Sequence, residues 1–329
     1  MPDLGRVRVS AVITCQDRRQ FLAAAIGSAV RAGADEILVV RNFDDPIPEW
    51  AGRFLDLRCD ERPTGLKQAV GVARATGEVV AFLDDDDLWE VEKVQRTRQR
   101  FAERPTLVYF DHAQTAIDAN GAPVRARHAE YAGRRPEEFG KPGSRKPWTL
   151  FDRIWPGNGS STSVRRAWAA EWVPSLREVQ WSADVCWFAA AQLGEGEIAL
   201  SAEPLTRLRL HAANTSNTRG VSPEDFRIRH AESSSRFAAS YGALARLSAQ
   251  RRGPGSPIAR YFAQNAEAFR FQADLEAGHR PRAAAARMLR RGPGRKRTGL
   301  LGVALVALFS PGLGRRLLYR ASDRRFRLG

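Results

Sequence analysis

The sequence predicts an α/β fold, in which a mostly parallel central sheet is flanked by helices and is followed by a C-terminal α-helical appendage. Three observations support this prediction. Short apolar runs alternate with helical runs in the N-terminal part of the chain, which is typical of β-α-β units. One of these runs, residues 79–83 (VVAFL), is uninterrupted and suits a strand buried on both faces. Beyond residue 219 the strand-like runs stop and helix start signals follow one another, first at Ser222-Pro223 and then at Ser256-Pro257, where a capping serine precedes a proline.

The composition limits the possible classes of protein. At 329 residues the chain is long for one small domain, and an apolar fraction of 43% is enough for a core. The three cysteines, Cys15, Cys59 and Cys186, are widely spaced and odd in number, which fits neither a disulfide framework nor a zinc site. The residues after Met1 do not read as a signal peptide. We therefore expect a cytoplasmic protein.

The net charge of +15 is concentrated at one end of the chain. Residues 281–329 contain thirteen Lys or Arg and one acidic residue, Asp323, so this segment contributes +12 and the rest of the chain only +3. A basic balance can indicate a nucleic-acid partner, but here the basicity is terminal and is not spread over the chain. The sequence therefore gives no reason to expect a nucleic-acid partner.

The predicted elements alternate between strand and helix. We expect strands at 7–13, 36–40 and 79–83, and helices at 19–32 and 67–75. In parallel sheets ligands bind beyond the carboxyl ends of the strands. The polar segments 14–18 and 41–45 and the acidic run 84–87 all follow strands, so we expect them to converge on one cleft.

The acidic run Asp84, Asp85, Asp86 and Asp87 directly follows the central strand. Four carboxylates are expected to avoid burial, so the strand should end at a solvated edge, where a cation relieves their repulsion. A hard divalent ion such as Mg²⁺ is usually held by one or two carboxylates plus the phosphates of a substrate. The alternative is an acidic loop, or a cap for a helix that begins near Trp89.

Several segments, taken in order, resemble the family-2 glycosyltransferases, which have the Rossmann-like GT-A fold. They are VSAVITCQDRRQFLAAAIGSAV, ATGEVVAFLDDDDLWEVEKV with its DXD motif, LVYFDHAQTAIDANGAPV, GNGSSTSVRRAW, Ser182-Ala183-Asp184 and RLRLHAANTS. The resemblance covers residues 7–217. It implies a metal-dependent, inverting transfer of a sugar from a nucleotide-diphosphate donor, with Mg²⁺ or Mn²⁺ as cofactor.

The resemblance also implies roles for individual residues. Asp84 and Asp86 would bind the metal, and Asp184 would be the general base, although a cap of the helix that follows is the alternative for Asp184. Arg209 and His211 would close over the diphosphate, the alternative being a solvated basic strand edge. Donor binding is expected at Thr14, Gln16, Asp17, Arg41, Asn42, Lys67, Asp84, Arg209 and His211, and acceptor binding at Asn158 and Trp181.

The sequence departs from the family pattern at three places. The second strand ends in Val40-Arg41-Asn42-Phe43, where the family usually has paired aspartates that contact the nucleotide. Lys67-Gln68-Ala69 replaces the usual Ala-Arg-Asn, and Ala183 replaces the usual Glu before the catalytic Asp. The identity of the nucleotide base is therefore left open.

The C-terminal region follows the resemblance and differs from it in composition. We expect a catalytic domain at 1–220, a helical region at 221–292 and a basic, partly apolar, membrane-associating tail at 293–329 whose removal leaves a folded protein. The run 300–309 (LLGVALVALF) has ten apolar residues, whereas crossing a bilayer takes roughly 20. Flanking arginines favour contact with a membrane surface. The alternative is a helix docked on the core.

Together these features predict a glycosyltransferase at the cytoplasmic face of the membrane that modifies a lipid-linked or cell-surface glycan. One alternative is a soluble transferase that acts on a small molecule or a protein. The other is a non-catalytic protein that binds a nucleotide sugar, or binds nucleic acid through its basic tail. The sequence does not identify the sugar, the acceptor or the linkage.

Overall fold

The computed structural model describes residues 7–48, 53–124, 137–140, 159–179, 181–211, 222–278, 281–291 and 299–327. The chain divides into two compact units, Met1–Leu210 and His211–Gly329. The predicted boundary of the catalytic domain, at residue 220, lies close to this division.

The first unit is built on a mixed sheet. Within the described residues its strands are Val9–Thr14 (β1), Glu36–Arg41 (β2), Leu55–Arg58 (β3), Val79–Asp84 (β4), Leu88–Trp89 (β5), Leu107–Ile117 (β6), Glu137–Gly140 (β7), Ser163–Arg165 (β8) and Glu197–Arg209 (β9). Their order is β3-β2-β1-β4-β8-β6-β9-β5, and β7 also pairs with β9. The first four strands of this order are parallel, whereas β8 runs antiparallel to both of its neighbours.

Helices cover the sheet. They are Leu22–Arg31 (α1), Thr64–Arg74 (α2), Lys93–Glu103 (α3), Arg166–Arg177 (α4) and Ala183–Leu193 (α5). The sheet and helix α1 bury a continuous core that includes Val9, Ile13, Ile26, Val39 and Leu83. The prediction of an α/β fold with helices flanking a central sheet is confirmed; the sheet is mixed, and its parallel part contains the three predicted strands. Each predicted strand and helix is present within a few residues of its expected bounds.

Close packing of α2 on the centre of the sheet requires a glycine. A Cβ atom added to Gly71 would lie 2.3 Å from Cγ1 of Val12 on β1. Such a contact is far shorter than van der Waals separation, so a side chain at this position would push the helix off the strand. Gly71 therefore fixes the distance between α2 and the strand that leads into the predicted nucleotide loop.

The second unit is helical. Its helices are Pro223–Arg252 (α6), Pro257–Ala277 (α7), Pro281–Arg291 (α8), Gly299–Phe309 (α9) and Pro311–Arg327 (α10). The predicted helix starts are confirmed, because the Ser222 hydroxyl accepts the Asp225 N–H at 3.1 Å and the Ser256 hydroxyl accepts the Ala259 N–H at 3.4 Å. In both cases proline occupies the first helical turn, as the sequence predicted.

The C-terminal tail is part of the core of this unit. Val303, Ala304 and Ala307 of α9 and Leu318 of α10 are buried against side chains of α7 and α8, namely Ala268, Phe271, Leu275, Ala284, Ala285 and Met288. The predicted boundary at residue 293 therefore divides a shared core. This packing does not agree with the expectation that the tail can be removed without loss of folding. It agrees with the alternative of a docked helix, because one side of α9 is buried in the core of the second unit.

Candidate active site

The carboxyl ends of three strands bring the predicted site residues to one edge of the sheet. Thr14 at the end of β1 is in register with Val40 of β2 on one side and with Asp84 of β4 on the other. Arg41, Asn42 and the acidic run therefore begin at the same edge. The predicted convergence of the three polar segments is a direct consequence of this parallel register.

The acidic run is more buried than the sequence suggested. The exposed fractions are 1% for Asp85, 5% for Asp86 and 1% for Asp87, and Asp84 is half-buried. The expectation that four carboxylates stay solvated was wrong, because hydrogen bonds and an ion pair replace the water. The alternative of a helix cap has no support either, since β5 follows the run and α3 begins only at Lys93 without a side-chain cap.

Arg18 neutralises the middle of the run. Its guanidinium donates to Oδ1 of Asp85 at 2.6 Å and to Oδ2 of Asp86 at 2.5 Å. The Cys15 thiol donates to the other oxygen of Asp85 at 2.8 Å. Burial raises the pKa of Asp85 to about 7, against the opposing effect of Arg18. Arg18 was not among the site residues predicted from the sequence, although it lies in the polar segment 14–18 that was expected to line the cleft.

Asp87 has a structural role in the site. Its carboxylate accepts the Ser160 hydroxyl at 2.7 Å and the Arg209 backbone N–H at 2.8 Å. Ser160 in turn accepts the Asp84 N–H at 2.9 Å. Burial, together with the neighbouring Asp86 and Asp84, raises the pKa of Asp87 well above its ordinary value. Asp87 thus ties the acidic run to β9 and to the short 3₁₀ helix Gly159–Ser161.

Arg209 faces backbone oxygens. Its guanidinium donates to the carbonyls of Asp86 at 2.8 Å, Ala119 at 2.9 Å and Asp118 at 3.3 Å, and it lies 4.6 Å from the centroid of the Phe21 ring. The side chain is 5% exposed, so the alternative of a solvated basic edge does not apply to it. Contact with a diphosphate would require it to leave these carbonyls.

The loop after β1 is bound to the end of β2 by two of the predicted donor-binding residues. The Asp17 N–H donates to Oδ1 of Asn42 at 3.0 Å, and Nδ2 of Asn42 donates back to the Asp17 carboxylate at 2.6 Å. The Gln16 amide also donates to Asp17, and both amides lower the pKa of this carboxylate. Asp17 has a φ of 60°, a left-handed conformation that is uncommon outside glycine and that recurs at functional sites.

Arg41 and Lys67 are buried and paired. Arg41 forms an ion pair with Asp56 at 2.6 Å and stacks on the Phe43 ring, with the guanidinium 5.2 Å from the centroid. Lys67 donates to the carbonyls of Cys59 at 2.7 Å and Glu61 at 2.6 Å, and burial lowers its pKa. Both residues shape the loops around the predicted nucleotide site in this conformation.

Asp184 lies in the first turn of α5, and the residue before that helix, Ser182, has a φ of 60°. The Asp184 carboxylate accepts the backbone N–H of Val185. Burial raises its pKa to about 7, and the negative charge of Asp84 adds to this rise. The base and the cap are therefore compatible roles here, and Asp184 is close enough to the acidic run to interact with it electrostatically.

Other predicted site residues are less clearly placed. Trp181 is half-buried next to Ser182. The Thr14 side chain is hydrogen-bonded to Asp84. His211 is buried and lies two residues after the end of β9. His211 therefore lies outside the strand that contains Arg207 and Arg209. Arg207 forms an ion pair with Glu90 at 2.6 Å. Asn158 lies outside the described residues. Ser160 and Gln68, which accepts the Trp187 indole N–H at 2.7 Å, were not selected from the sequence as donor-site residues.

The carboxylates at this edge of the sheet match the ligands of a hard cation only in part. Asp84 is half-buried, and the chain at Gly159 passes close to it, since a Cβ atom on this glycine would be in van der Waals contact with Oδ1 at 3.4 Å. Asp86 has one oxygen bonded to Arg18. Within the described residues, no group of three or more His, Cys, Asp or Glu side chains is arranged to hold a metal ion. Asp84 fits a Mg²⁺ or Mn²⁺ ligand, and Asp86 fits once Arg18 moves away.

These features define a GT-A-type α/β fold with a polar, acidic site at the carboxyl edge of its sheet. Residues 10–167, just under half of the chain, match the family model of glycosyl transferase family 2, so this part of the chain is similar to that family. An uncharacterized glycosyltransferase of Nostoc sp. is 30% identical over 126 residues, which are 35% of this chain and 38% of that protein. This match thus spans well under half of the curated relative.

Two solved structures share the fold at low sequence identity. The crystal structure of Staphylococcus aureus TarS 1–349 in complex with UDP-GlcNAc has a TM-score of 0.52 and 15% identity, and the match covers 97% of this chain and 92% of that one. The mannosyltransferase PcManGT from Pyrobaculum calidifontis, in complex with GDP-Man and Mn²⁺, has a TM-score of 0.50 and 15% identity, covering 98% and 87%. The similarity confirms the GT-A fold.

Proposed function

We propose that this chain is an inverting glycosyltransferase that moves a sugar from a nucleotide-diphosphate donor to an acceptor hydroxyl. The observation that carries the proposal is the acidic run at the carboxyl edge of the parallel strands, where Asp84 is in register with Thr14, together with Asp184 in the first turn of α5; burial raises the pKa of Asp184 to about 7. A general base works best when its pKa lies near the working pH. The solved relatives bound to UDP-GlcNAc and to GDP-Man with Mn²⁺ support the same class of donor.

In this mechanism Asp184 accepts the proton of the acceptor hydroxyl while that oxygen attacks the anomeric carbon. Its position in the first turn of α5 fixes the carboxylate, since it accepts a backbone N–H there. The loop that contains Gln16, Asp17 and Asn42 would bind the nucleotide. A divalent cation held by Asp84, and by Asp86 after release from Arg18, would offset the negative charge that develops on the leaving diphosphate.

Arg209 contributes to the proposed site by connecting the acidic run to β9. Through its guanidinium and its backbone N–H it joins the backbone of Asp86 and the carboxylate of Asp87 to β9. We retain His211 and Arg209 as candidate diphosphate contacts in the donor complex, where a rearranged Arg209 would add positive charge near the leaving group.

For the acceptor we propose a lipid-linked or cell-surface glycan, with the chain associated with the cytoplasmic face of the membrane through its C-terminal helices. The basic and apolar composition of residues 281–329 supports this proposal. No helix in the described part of the chain has the length and apolarity needed to span a bilayer. A soluble acceptor, or a non-catalytic role in binding nucleotide sugars, is the alternative.

Thermal unfolding with a panel of nucleotide sugars tests the donor proposal. A ligand that binds only the folded chain raises the melting temperature with its concentration. We expect one nucleotide-sugar class to give this rise, and a larger rise with Mn²⁺ than with EDTA. If no member of the panel changes the melting temperature with either addition, the donor proposal fails.

A further inference from the structure

We infer that the corner between helices α9 and α10 is the surface that enters a lipid bilayer, with Phe309 at its tip. This inference rests on the membrane association proposed above and does not depend on the chemistry of the first unit. It assigns the contact to particular side chains of the second unit and to a particular partner, an anionic lipid surface.

The two helices meet at a sharp bend. Helix α9 ends at Phe309, and α10 begins at Pro311, which has no N–H to continue the α9 hydrogen bonds. A Cβ atom on Gly314 would lie only 2.8 Å from Cβ of Ala307. Residues seven apart in a straight helix are about 10 Å apart along its axis. The chain therefore turns back on itself here, and the glycine allows the close approach.

The outside of this corner is apolar and exposed. The exposed fractions are 52% for Leu305, 83% for Phe309 and 48% for Leu313, whereas Ala304 and Ala307 on the inner side are fully buried. Large apolar side chains that project from a short stretch of chain mark an interaction surface. The inner side is needed for the core of the unit, so the outer side is the part that remains for a partner.

Charge favours a lipid surface as that partner. No residue from 298 to 314 is charged, and Arg315 and Arg316 follow directly. The segment 281–329 as a whole carries a net charge of +12. Anionic lipid attracts such a segment. A second copy of this chain would instead bring two strongly basic segments together, and the resulting repulsion disfavours a symmetric interface through this face.

The depth of insertion is limited by the length of α9. Its eleven residues extend about 16 Å, roughly half of the hydrocarbon thickness of a bilayer. The corner therefore fits insertion of the exposed apolar side chains below the headgroups, with the arginines remaining at the surface.

Co-sedimentation of the full chain with lipid vesicles tests this inference. The variants are Phe309→Ser and Leu305→Ser, and Val91→Ser is the matched control, because Val91 is 55% exposed but belongs to the first unit. On vesicles that contain phosphatidylglycerol we expect wild-type binding, a loss of about tenfold or more for Phe309→Ser, a smaller loss for Leu305→Ser and no change for the control. Circular dichroism verifies that each variant is folded.

A fluorescent label adds a local readout. Cys15, Cys59 and Cys186 are all buried, so an environment-sensitive thiol dye can be directed to Ser310→Cys, which is exposed next to an intact Phe309, or to Val91→Cys. We expect a blue shift with anionic vesicles for the first and none for the second. The label also reports whether vesicle contact occurs at the corner itself.

Three results would overturn the inference: no wild-type binding to anionic vesicles, equal binding of wild type and Phe309→Ser, or a change of oligomeric state on gel filtration for Phe309→Ser without a change in vesicle binding. The last result would assign the face to contact between copies of the chain. Donor binding is measured separately, by thermal unfolding with nucleotide sugars. Failure of the membrane inference can therefore be distinguished from failure of the proposed transferase activity.

Discussion

Asp184 should lower the stability of the protein at neutral pH, and Asp184→Asn should therefore raise it. Burial raises the pKa of this carboxyl from 3.8 to about 7 in the folded chain. Between these values the folded state holds a proton that the unfolded state has lost, so stability decreases as the pH rises through this window and is lowest above pH 7. An amide has nearly the same shape and no charge, so it removes this dependence.

The size of the effect follows from the two pKa values. The difference between a pKa of 3.8 in the unfolded chain and about 7 in the folded chain corresponds to at most about 4 kcal/mol in the free energy of unfolding at pH 8. Since Asp184 is half-buried and accepts the Val185 N–H, solvent and the helix terminus reduce the penalty, and we expect a gain of about 1–2 kcal/mol for the variant. In a domain of this size that is a rise of about 2–8 °C in melting temperature.

The assay is thermal unfolding of wild type and Asp184→Asn in EDTA at pH 5 and pH 8, followed by nucleotide-sugar binding and transfer. We expect the variant to be more stable than wild type at both pH values, with a smaller gain at pH 5, which lies inside this window, than at pH 8. Donor binding should be retained, with a loss of at least about 10²-fold in transfer. A variant that is less stable at both pH values, with donor affinity and rate reduced together, would show that Asp184 is a helix cap and not a catalytic base.

Three further changes test other parts of the account. Asp86→Ala should keep the fold but remove the Mn²⁺ dependence of nucleotide binding and abolish turnover, and full activity of this variant in EDTA would refute the metal assignment. Gly71→Ala should cost about 1–3 kcal/mol in the free energy of unfolding through its contact with Val12, whereas Gly302→Ala, with nothing within 4 Å, should cost nothing; equal melting temperatures for the two would refute the packing argument. Deletion of residues 299–329 should expose the core around Phe271 and lower the melting temperature of the second unit, and an unchanged calorimetric transition would contradict this.

The sequence predicted most of the first unit because its signals are local. Apolar runs such as 79–83 indicate buried strands, and parallel strands place the residues that follow them at one edge. The capping serines of α6 and α7 were equally clear, since a serine followed by proline is a local helix start. These features depend on neighbouring residues, so no long-range information was needed.

The sequence could not show which charges were paired over long distances. Arg18 and Asp86 are 68 positions apart, so the ion pair that allows the acidic run to be buried has no local signature. The contacts of Arg209 with carbonyls ninety or more positions away are likewise set by the sheet order. Helix α9 is buried on one side and exposed on the other because it packs against α7 and α8. The ten-residue apolar run alone does not show which side is buried.

Release of nucleoside diphosphate is the most direct measurement of the central claim. Wild type and Asp184→Asn would be incubated with Mn²⁺ and the nucleotide sugar that stabilises the folded chain, with and without candidate glycan acceptors. The account predicts acceptor-dependent release by wild type, together with a glycosylated product of inverted anomeric configuration, and at least about 10²-fold slower release by the variant. Donor binding without any release or product, or equal release by both proteins, would contradict the claim that this chain is a glycosyltransferase with Asp184 as its base.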